Sequence, residues 1–232
     1  MKVGILGAMV EEIEPFVEVL ENKKVTETAQ NTFYEGRLNG HDVVLAYSKI
    51  GKVNSTLTVT LMIERFGAER ILFSGVAGGI NPGLRIGDLV VATQLVQHDV
   101  DITAFGHPFG FIPESGDFVD ADPELIKIAQ SVAEEKGIKL LTGVIATGDQ
   151  FIADERKKNW IQETYRADAL EMEGASVAYT AKCLEVPFFV LRAISDTADM
   201  DAGFSFEEFL KSSAKESAAF LLAMLDKMEK AA

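Results

Sequence analysis

The sequence has one cysteine among its 232 residues and no long apolar run. Because Cys183 cannot form an internal disulfide and lies in an apolar, helix-like stretch, we expect a reduced thiol in the core of a cytoplasmic protein. A membrane-spanning helix needs about 20 consecutive apolar residues, and no such run occurs. The predicted strand that follows Met1-Lys2 is too short and too rich in glycine for a signal peptide.

Basic residues are few, since 22 Lys and Arg stand against 36 Asp and Glu, for a net charge of −14. They form no cluster, whereas nucleic-acid binding requires a concentrated positive surface that neutralises phosphates. No basic amphipathic helix is visible, which argues against binding to a membrane surface. The expected partner is therefore a small molecule, with no nucleic acid and no membrane.

Side chains that hold metals or cofactors are also scarce. His98, Asp99 and Asp101 offer part of a ligand set, but no second His or Cys recurs at ligand spacing, so we predict no metal. Gly4–Met9 lacks the spacing of a dinucleotide-binding loop, and Gly75–Gly79 lacks the Lys-Ser/Thr pair of a phosphate-binding loop. We therefore predict no cofactor, and interpret the glycines as points of close approach to a ligand or to another element.

What is present is an alternation of strand-like and helix-like segments, 47% hydrophobic overall and long enough to bury one core. The predicted strands are Lys2–Leu6, Thr32–Leu38, Asp42–Ser48, Arg70–Ser74, Leu89–Val96, Lys139–Thr147 and Phe188–Ile194, with a hairpin at Asn39-Gly40. The predicted helices are Glu11–Leu20, Asn54–Phe66, Pro123–Lys136, Ala153–Thr164, Glu173–Leu184 and Phe206–Met228. Residues 97–120 form a long irregular stretch typical of a lid or an interface. The pattern predicts one α/β domain over residues 1–232, a three-layer α/β/α sandwich around a mixed central sheet.

Carboxylates follow the predicted strand ends. Glu11 and Glu12 begin the first helix, Asp196 follows a buried strand, and Glu171 and Glu173 precede a helix of small residues. Each has an ordinary explanation, because acids favour helix starts, cap helices and form turns. Together they suit glycoside cleavage, in which one acid assists the leaving group, another carboxylate activates water, and negative charge stabilises an oxocarbenium-like transition state.

Several segments occur together in an order typical of one enzyme family. They are Gly4-Ile5-Leu6-Gly7-Ala8-Met9 with Glu11-Glu12, Ile50-Gly51-Lys52-Val53, Gly75-Val76-Ala77-Gly78-Gly79, Thr103-Ala104-Phe105-Gly106, Gly148-Asp149-Gln150-Phe151-Ile152, Glu171-Met172-Glu173 and Arg192-Ala193-Ile194-Ser195-Asp196. Through them the chain resembles the nucleoside phosphorylase/hydrolase superfamily, and within it the 5′-methylthioadenosine/S-adenosylhomocysteine nucleosidases. The resemblance implies a nucleoside phosphorylase-like fold, a homodimer and release of adenine by hydrolysis.

The same resemblance implies roles for individual residues. Glu12 would be the base that deprotonates the attacking water, and Asp196 the acid that protonates the departing adenine. Glu173 would bind the ribose hydroxyls with the backbone of Met172, and Arg192 would lie near the same water and sugar. The implied substrate-binding set is Met9, Ile50, Val76, Ile102, Phe105, Pro113, Phe151, Ile152, Met172, Glu173, Arg192, Ser195 and Phe206. In this set Phe151 stacks on the base, Ile152 reads its edge through the backbone, and a neighbouring subunit contributes Ile102, Phe105 and Pro113.

The sequence departs from the family pattern at two places. Val76 stands where many of these nucleosidases have serine, and His107-Pro108-Phe109 replaces a segment that often contains tyrosine. These features resemble the branch that also cleaves 6-amino-6-deoxyfutalosine, which would add a role in the futalosine route to menaquinone to one in methionine salvage.

Three alternatives stay open. A phosphorylase of the same fold would attack with phosphate, although a carboxylate at Glu12 repels that anion. A nucleoside-binding protein without catalysis would keep the pocket but release no adenine. A purely structural oligomer would leave the set of carboxylates unexplained.

Overall fold

A computed structural model describes residues 1–198 and 202–228 of the protein. The strands in chain order are β1 (Lys2–Gly7), β2 (Glu21–Thr28), β3 (Asn31–Leu38), β4 (His41–Tyr47), β5 (Arg70–Gly79), β6 (Leu89–Gln97), β7 (Phe118–Asp120), β8 (Leu140–Thr147), β9 (Ala167–Glu171) and β10 (Phe188–Asp196). The helices are α1 (Val10–Glu18), α2 (Lys52–Glu64), α3 (Pro123–Lys136), α4 (Glu155–Tyr165), α5 (Gly174–Cys183) and α6 (Ala202–Lys227), with a single 3-10 turn at Thr103–Phe105 within the described ranges. No helix in this part of the chain is long and apolar enough to cross a membrane.

The strands form one mixed sheet in the order β10-β6-β8-β9-β5-β1-β4-β3-β2, and β7 pairs with β6 outside that path. β1 runs parallel to β4 and β5, whereas β3 runs antiparallel to β2 and β4. β10 also pairs with β5. A ring of backbone pairings is therefore closed by β5, β9, β8, β6 and β10. From this ring β1, β4, β3 and β2 extend on the side of β5, and β7 attaches to β6. The predicted mixed sheet is confirmed, with this closure as an additional feature.

Hydrophobic cores lie on both faces of the sheet. Along β1, Val3 and Ile5 join the core that α1, α3 and α6 cover, for example through Phe16. Leu6 joins the opposite core, which α2 and α5 cover, for example through Met62. This alternation is the expected period of a strand buried on both faces. The helices therefore lie on both sides of the sheet, as predicted for a three-layer α/β/α sandwich.

The hairpin predicted at Asn39-Gly40 is confirmed. β3 and β4 pair antiparallel across it, and Asn39 and Gly40 have φ angles of 49° and 83°. Two positive φ angles are what the favoured two-residue hairpin turn requires, and Asn-Gly adopts them readily.

Three strands, β2, β7 and β9, are absent from the predicted elements, and β7 lies within the 97–120 stretch that was expected to be irregular. β2 lies at the edge of the sheet, and most of its side chains are exposed, so its sequence carries no alternation of apolar residues. β9 has five residues and lies between β8 and β5. Two predicted strands are also longer than expected, since β5 continues through the glycines to Gly79 and β10 includes Ser195 and Asp196.

Cys183 is exposed, so the prediction of a core thiol is wrong. α5 buries Val177, Ala178 and Ala181 against the sheet. Cys183, two residues after Ala181, lies at the last position of the helix and outside that buried face. Apolar neighbours in sequence therefore did not indicate burial at the helix end.

Candidate active site

A cavity of about 300 Å³ opens where the carboxyl ends of β1, β5, β9 and β10 meet. This edge of the sheet is where α/β proteins bind ligands, because the loops that follow the strands converge there. The residues that line it are Ala8, Met9, Glu12, Ile50, Val76, Ala77, Gly78, Phe151, Leu170, Glu171, Met172, Glu173, Ser195, Asp196 and Phe206. The cavity therefore brings together most of the site residues predicted from the sequence.

Glu12 lies in the first turn of α1, directly after β1, where a carboxylate is favoured by the helix dipole. The backbone N–H groups of Ala8 and Met9 donate to one of its carboxylate oxygens, and the N–H of Val76 donates to the other at 2.9 Å. Burial raises the pKa of Glu12, while Arg192 and these N–H donors oppose the rise. The side chain is thus fixed in orientation and more basic than an exposed carboxylate, as a general base requires.

Asp196 is the last residue of β10, a strand that is buried along its whole length. Its Oδ1 accepts a hydrogen bond from the N–H of Ala198 at 2.9 Å, and its Oδ2 accepts one from the hydroxyl of Ser195 at 3.0 Å. Asp196 is 3% exposed, and both it and Ser195 line the cavity. The apolar strand thus carries a buried carboxyl group to the cavity wall.

The glycines of β5 make room for these two carboxylates. A Cβ on Gly75 would lie 2.7 Å from Oε1 of Glu12, and a Cβ on Gly78 would lie 2.8 Å from Oδ1 of Asp196. The prediction of close approach at this segment is confirmed. Three positions along a strand correspond to about 10 Å. Glu12 and Asp196 therefore contact β5 at residues about 10 Å apart along the strand, and both line the same cavity.

Glu171 is the carboxylate that caps α5. Its Oε2 accepts hydrogen bonds from the N–H groups of Glu173 at 3.1 Å and Gly174 at 2.7 Å, and it also pairs with Nη2 of Arg192 at 2.7 Å. Arg192 is 1% exposed and stacks its guanidinium over the ring of Phe73. Arg192 therefore does not line the cavity, and it acts on the site through Glu171 and through its charge near Glu12.

Glu173 occupies the N-cap position of α5 but makes no side-chain capping bond. Instead its Oε1 accepts a hydrogen bond from the N–H of Gly51 at 2.7 Å, across a separation of 122 residues. Burial raises the pKa of Glu173, and the neighbouring carboxylate of Glu171 raises it further. Glu173 can therefore form hydrogen bonds with a ligand in the cavity, while Glu171 accepts the N–H groups at the start of α5.

The loop after β8 supplies an aromatic wall. Phe151 is 51% exposed and meets Phe206 of α6 edge to face, with ring centroids 5.8 Å apart. Ile152 lines a smaller adjoining pocket of about 40 Å³, together with Asp196 and Met172. A planar ligand in this region would contact an aromatic face and reach Asp196 at the same time.

The predicted residues of the 97–120 segment lie apart from the cavity. Ile102, Phe105 and Pro113 are absent from its lining, and Phe105 is 82% exposed. Within one chain they contribute nothing to the site, so a role for them remains a prediction that depends on a second subunit.

The role of Gly51 was not predicted, although its segment was singled out. Gly51 has a φ of 99°, a conformation that favours glycine, and it places its N–H toward Glu173 immediately before α2 begins. The sequence marks this position only by a glycine just before a predicted helix. That pattern does not identify Glu173, 122 residues away, as the residue that accepts the hydrogen bond.

The residues of the site offer acid–base chemistry. Across residues 1–198 and 202–228, no Lys or Arg side chain lines the cavity. In the same ranges, no group of three or more His, Cys, Asp or Glu side chains is arranged to hold a metal ion. Asp99, which was considered above as a metal ligand, pairs with Lys52 at 2.7 Å. A negatively charged nucleophile would therefore meet carboxylates in the cavity wall, while the cation near Glu12, Arg192, is paired with Glu171.

Comparisons with known proteins extend over nearly the whole chain. A sequence model described as the phosphorylase superfamily matches residues 2–226. The aminodeoxyfutalosine nucleosidase of Campylobacter jejuni subsp. jejuni is 56% identical, over 98% of this chain and 100% of the relative. A 5′-methylthioadenosine/S-adenosylhomocysteine nucleosidase of Geobacillus sp. is 39% identical, over 99% of this chain and 100% of the relative. The structure of a mutant of the Helicobacter pylori nucleosidase, with 5′-methylthioadenosine in its active site, matches with a TM-score of 0.96 and 50% identity, over 98% of this chain and 99% of the other.

Proposed function

The chain belongs to the phosphorylase superfamily, and we propose that it is a nucleosidase, a hydrolase that cleaves the N-glycosidic bond of 5′-substituted adenine nucleosides and releases adenine. The observation that carries this proposal is the pair of buried carboxylates, Glu12 and Asp196, which contact β5 at points about 10 Å apart. A ribosyl group fits between them, with water on one side and the base on the other.

Asp196 protonates the leaving base. Adenine departs poorly as an anion, so an acid that delivers a proton to its imidazole-ring nitrogen lowers the barrier. The hydroxyl of Ser195 and the N–H of Ala198 fix the orientation of the Asp196 carboxyl group. As the bond to the base lengthens, positive charge develops on the ribose, and the surrounding carboxylates stabilise that oxocarbenium-like state.

Glu12 orients and deprotonates the attacking water. Its three backbone donors hold the carboxylate in one rotamer, and burial raises its pKa toward the range in which a base works at neutral pH. The charge of Arg192 opposes this rise and so favours the ionised carboxylate, which is the form that accepts a proton.

The rest of the cavity holds the nucleoside. Glu173 accepts hydrogen bonds from the ribose hydroxyls, and the backbone of Met172 lies beside it on the cavity wall. Phe151 stacks on adenine, with Phe206 at its edge, and the backbone of Ile152 reads the outer edge of the base. Aromatic stacking and a few placed polar groups are the usual way to bind a flat base.

Hydrolysis is favoured over phosphorolysis. A phosphorylase must bind a phosphate dianion next to the sugar, which requires cations in the cavity wall. In the described part of the chain the wall contains carboxylates but no Lys or Arg side chain, and Arg192 is already paired with Glu171. Phosphate would be repelled at the position where Glu12 accepts water.

The 5′ side of the cavity determines which nucleosides are cleaved. Met9, Ile50 and Phe206 give it an apolar wall, and Val76 adds a methyl-bearing side chain where a serine would add a hydroxyl. We infer 5′-methylthioadenosine, S-adenosylhomocysteine and 6-amino-6-deoxyfutalosine as substrates, because relatives at 56% and 39% identity carry the corresponding names. We add 5′-deoxyadenosine, which has no substituent beyond its 5′ carbon, because the 5′ wall is apolar. Such an enzyme would serve methionine salvage and the futalosine route to menaquinone.

We further propose a homodimer in which each 97–120 segment covers the partner's cavity. The support is the set of large apolar side chains that one chain leaves exposed, including Phe105 at 82%, Val53 at 79% and Leu57 at 48% exposure. Exposed apolar patches of this kind mark interaction sites. An unpaired, exposed thiol at Cys183 suits a reducing compartment, so we infer that the enzyme works in the cytoplasm.

The test is release of free adenine by the purified protein from 5′-methylthioadenosine and from 6-amino-6-deoxyfutalosine, each with and without phosphate. Release from both substrates without phosphate supports a hydrolase of broad 5′ tolerance. Release only with phosphate would show that the protein is a phosphorylase and that Glu12 does not act as the base that deprotonates water. Tight nucleoside binding without any release would identify a binding protein.

A further inference from the structure

A closed ring of hydrogen bonds joins three loops beside the cavity. The ammonium group of Lys52 donates to Oδ1 of Asp99 at 2.7 Å and to Oε1 of Gln97 at 3.1 Å. The other oxygen of Asp99 accepts from the N–H of Asp149 at 2.9 Å, and Oδ1 of Asp149 accepts from the N–H of Lys52 at 2.8 Å. The ring thus links the start of α2, the end of β6 and the loop after β8.

The ion pair in this ring is shielded from solvent. The side chain of Lys52 is 19% exposed and that of Asp99 is 11% exposed, unlike the surface pairs of the chain such as Lys127 with Glu124. The Lys52 ammonium holds the pKa of Asp99 below its usual value despite partial burial. A partly buried pair with three further hydrogen bonds is geometrically specific, whereas an exposed pair contributes little.

The ring fixes the residue next to it, Gly51. A Cβ on Gly51 would lie 3.0 Å from Oδ1 of Asp149, so the ring contacts this residue directly. The N–H of Gly51 is the donor to Oε1 of Glu173. Gly51 contributes no side chain that could hold it in place, and its φ of 99° lies outside the region that most residues adopt. The position of its N–H therefore depends on what holds Lys52.

We propose that Lys52 is a positioning residue for catalysis. Through Asp99 and Asp149 it fixes the N–H of Gly51, and this N–H fixes the carboxylate of Glu173 in the orientation that binds the ribose hydroxyls. The inference rests on the proposed function, because it assigns Lys52 a role in the binding of that ribose. Lys52 itself touches neither substrate nor reacting atoms.

The experiment compares two substrates, 5′-methylthioadenosine and its 2′,3′-dideoxy analogue, which lacks the hydroxyls that Glu173 would bind. Lys52→Met should lower kcat/KM about tenfold for the first substrate, because small misplacements of a positioning group are costly. It should change kcat/KM for the analogue less than about twofold, so the ratio between the substrates falls. Lys2→Met is the matched control, since Lys2 pairs with Glu35 at 2.8 Å at the opposite end of β1, with side chains 26% and 21% exposed.

A second variant guards against simple misfolding. Lys52→Met leaves Asp99 without its cation, whereas the double variant Lys52→Gln with Asp99→Asn removes both charges at similar volume. The double variant should show the same fall in the substrate ratio as Lys52→Met. The single variant Lys52→Arg, which keeps the positive charge, should have a ratio between those of Lys52→Met and the wild type. Equal losses on both substrates, or an unchanged ratio in the folded variants, would overturn the proposal. If the wild-type protein releases no adenine, the nucleosidase proposal fails, and the ratio of the two dissociation constants, measured by calorimetry, still tests the role of Lys52.

Discussion

Replacing Glu12 by glutamine exchanges one oxygen for an amino group in a site that uses both oxygens. The N–H groups of Ala8 and Met9 donate to one oxygen, and the N–H of Val76 donates to the other. A glutamine oxygen can serve the first pair, but its amino group then faces the N–H of Val76. Losing one buried hydrogen bond costs about 1–3 kcal/mol of stability, while removal of a buried charge offsets part of that cost. The variant should therefore fold.

The catalytic loss should be much larger than the structural one. Removing a general base typically lowers turnover by about 10²–10⁴, which corresponds to about 3–5 kcal/mol of transition-state stabilisation. Chromatographic measurement of free adenine gives kcat, and calorimetry with 5′-methylthioadenosine gives the dissociation constant, which should change only a few-fold. Glu11→Gln is the matched control, because Glu11 is the neighbouring residue of the same helical turn and does not line the cavity. A folded Glu12→Gln protein with turnover within about tenfold of wild type would refute the assignment.

Three further predictions follow from the same geometry. Asp196→Asn should lower kcat by about 10³ without loss of the fold, because the amide oxygen can still accept the N–H of Ala198, and near-native adenine release would contradict the role of Asp196 as acid. Folding raises the pKa of Glu173 above its ordinary value of 4.5. The protonated Glu173 side chain therefore contributes its full stability below pH 4.5, and this contribution is lost as the pH rises through the raised pKa. Glu173→Gln should therefore raise Tm relative to wild type at about pH 8 but not at about pH 4, and thermal melts at both pH values with no such difference would argue against the raised pKa. Phe105→Glu should shift the protein from dimer to monomer in analytical ultracentrifugation and reduce adenine release at least about tenfold, whereas Val25→Glu, at an exposed position of β2, should do neither.

The fold was predictable where burial leaves a pattern in the sequence. β10 is buried at every residue, and its apolar run marked it as a strand. β2 shows the opposite case, because its sequence Glu-Asn-Lys-Lys-Val-Thr-Glu-Thr is polar and its strand conformation depends on pairing with β3. β9 contains Ala, Asp, Leu and Glu, which have no strand preference, and its neighbours β8 and β5 impose the conformation.

The candidate site was predictable as a set of residue types at strand ends, but not as a set of contacts. Local spacing left open whether Glu171 or Glu173 capped the helix, and only the turn after β9 assigns the cap to Glu171. The same holds for Arg192: the family resemblance implies a position near the water and the sugar, and the fold buries its side chain against Glu171 and Phe73. Contacts between residues far apart in sequence, such as that of Gly51 with Glu173, have no local signature at all.

The closure of strands β5, β9, β8, β6 and β10 into a ring also bears on synthesis of the protein by the ribosome. Ser195 of β10 and Ala77 of β5 are neighbours in the ring and 118 positions apart in the chain. A nascent chain that has not yet emerged as far as β10 already contains Glu12, Glu171 and Glu173, but it has no Asp196 and leaves one side of β5 unpaired. Pairings over such a separation form slowly, because a long loop must be ordered before the contact stabilises it. Catalytic competence therefore arrives late in translation, and until then the exposed edge of β5 is a surface that chaperones would need to shield.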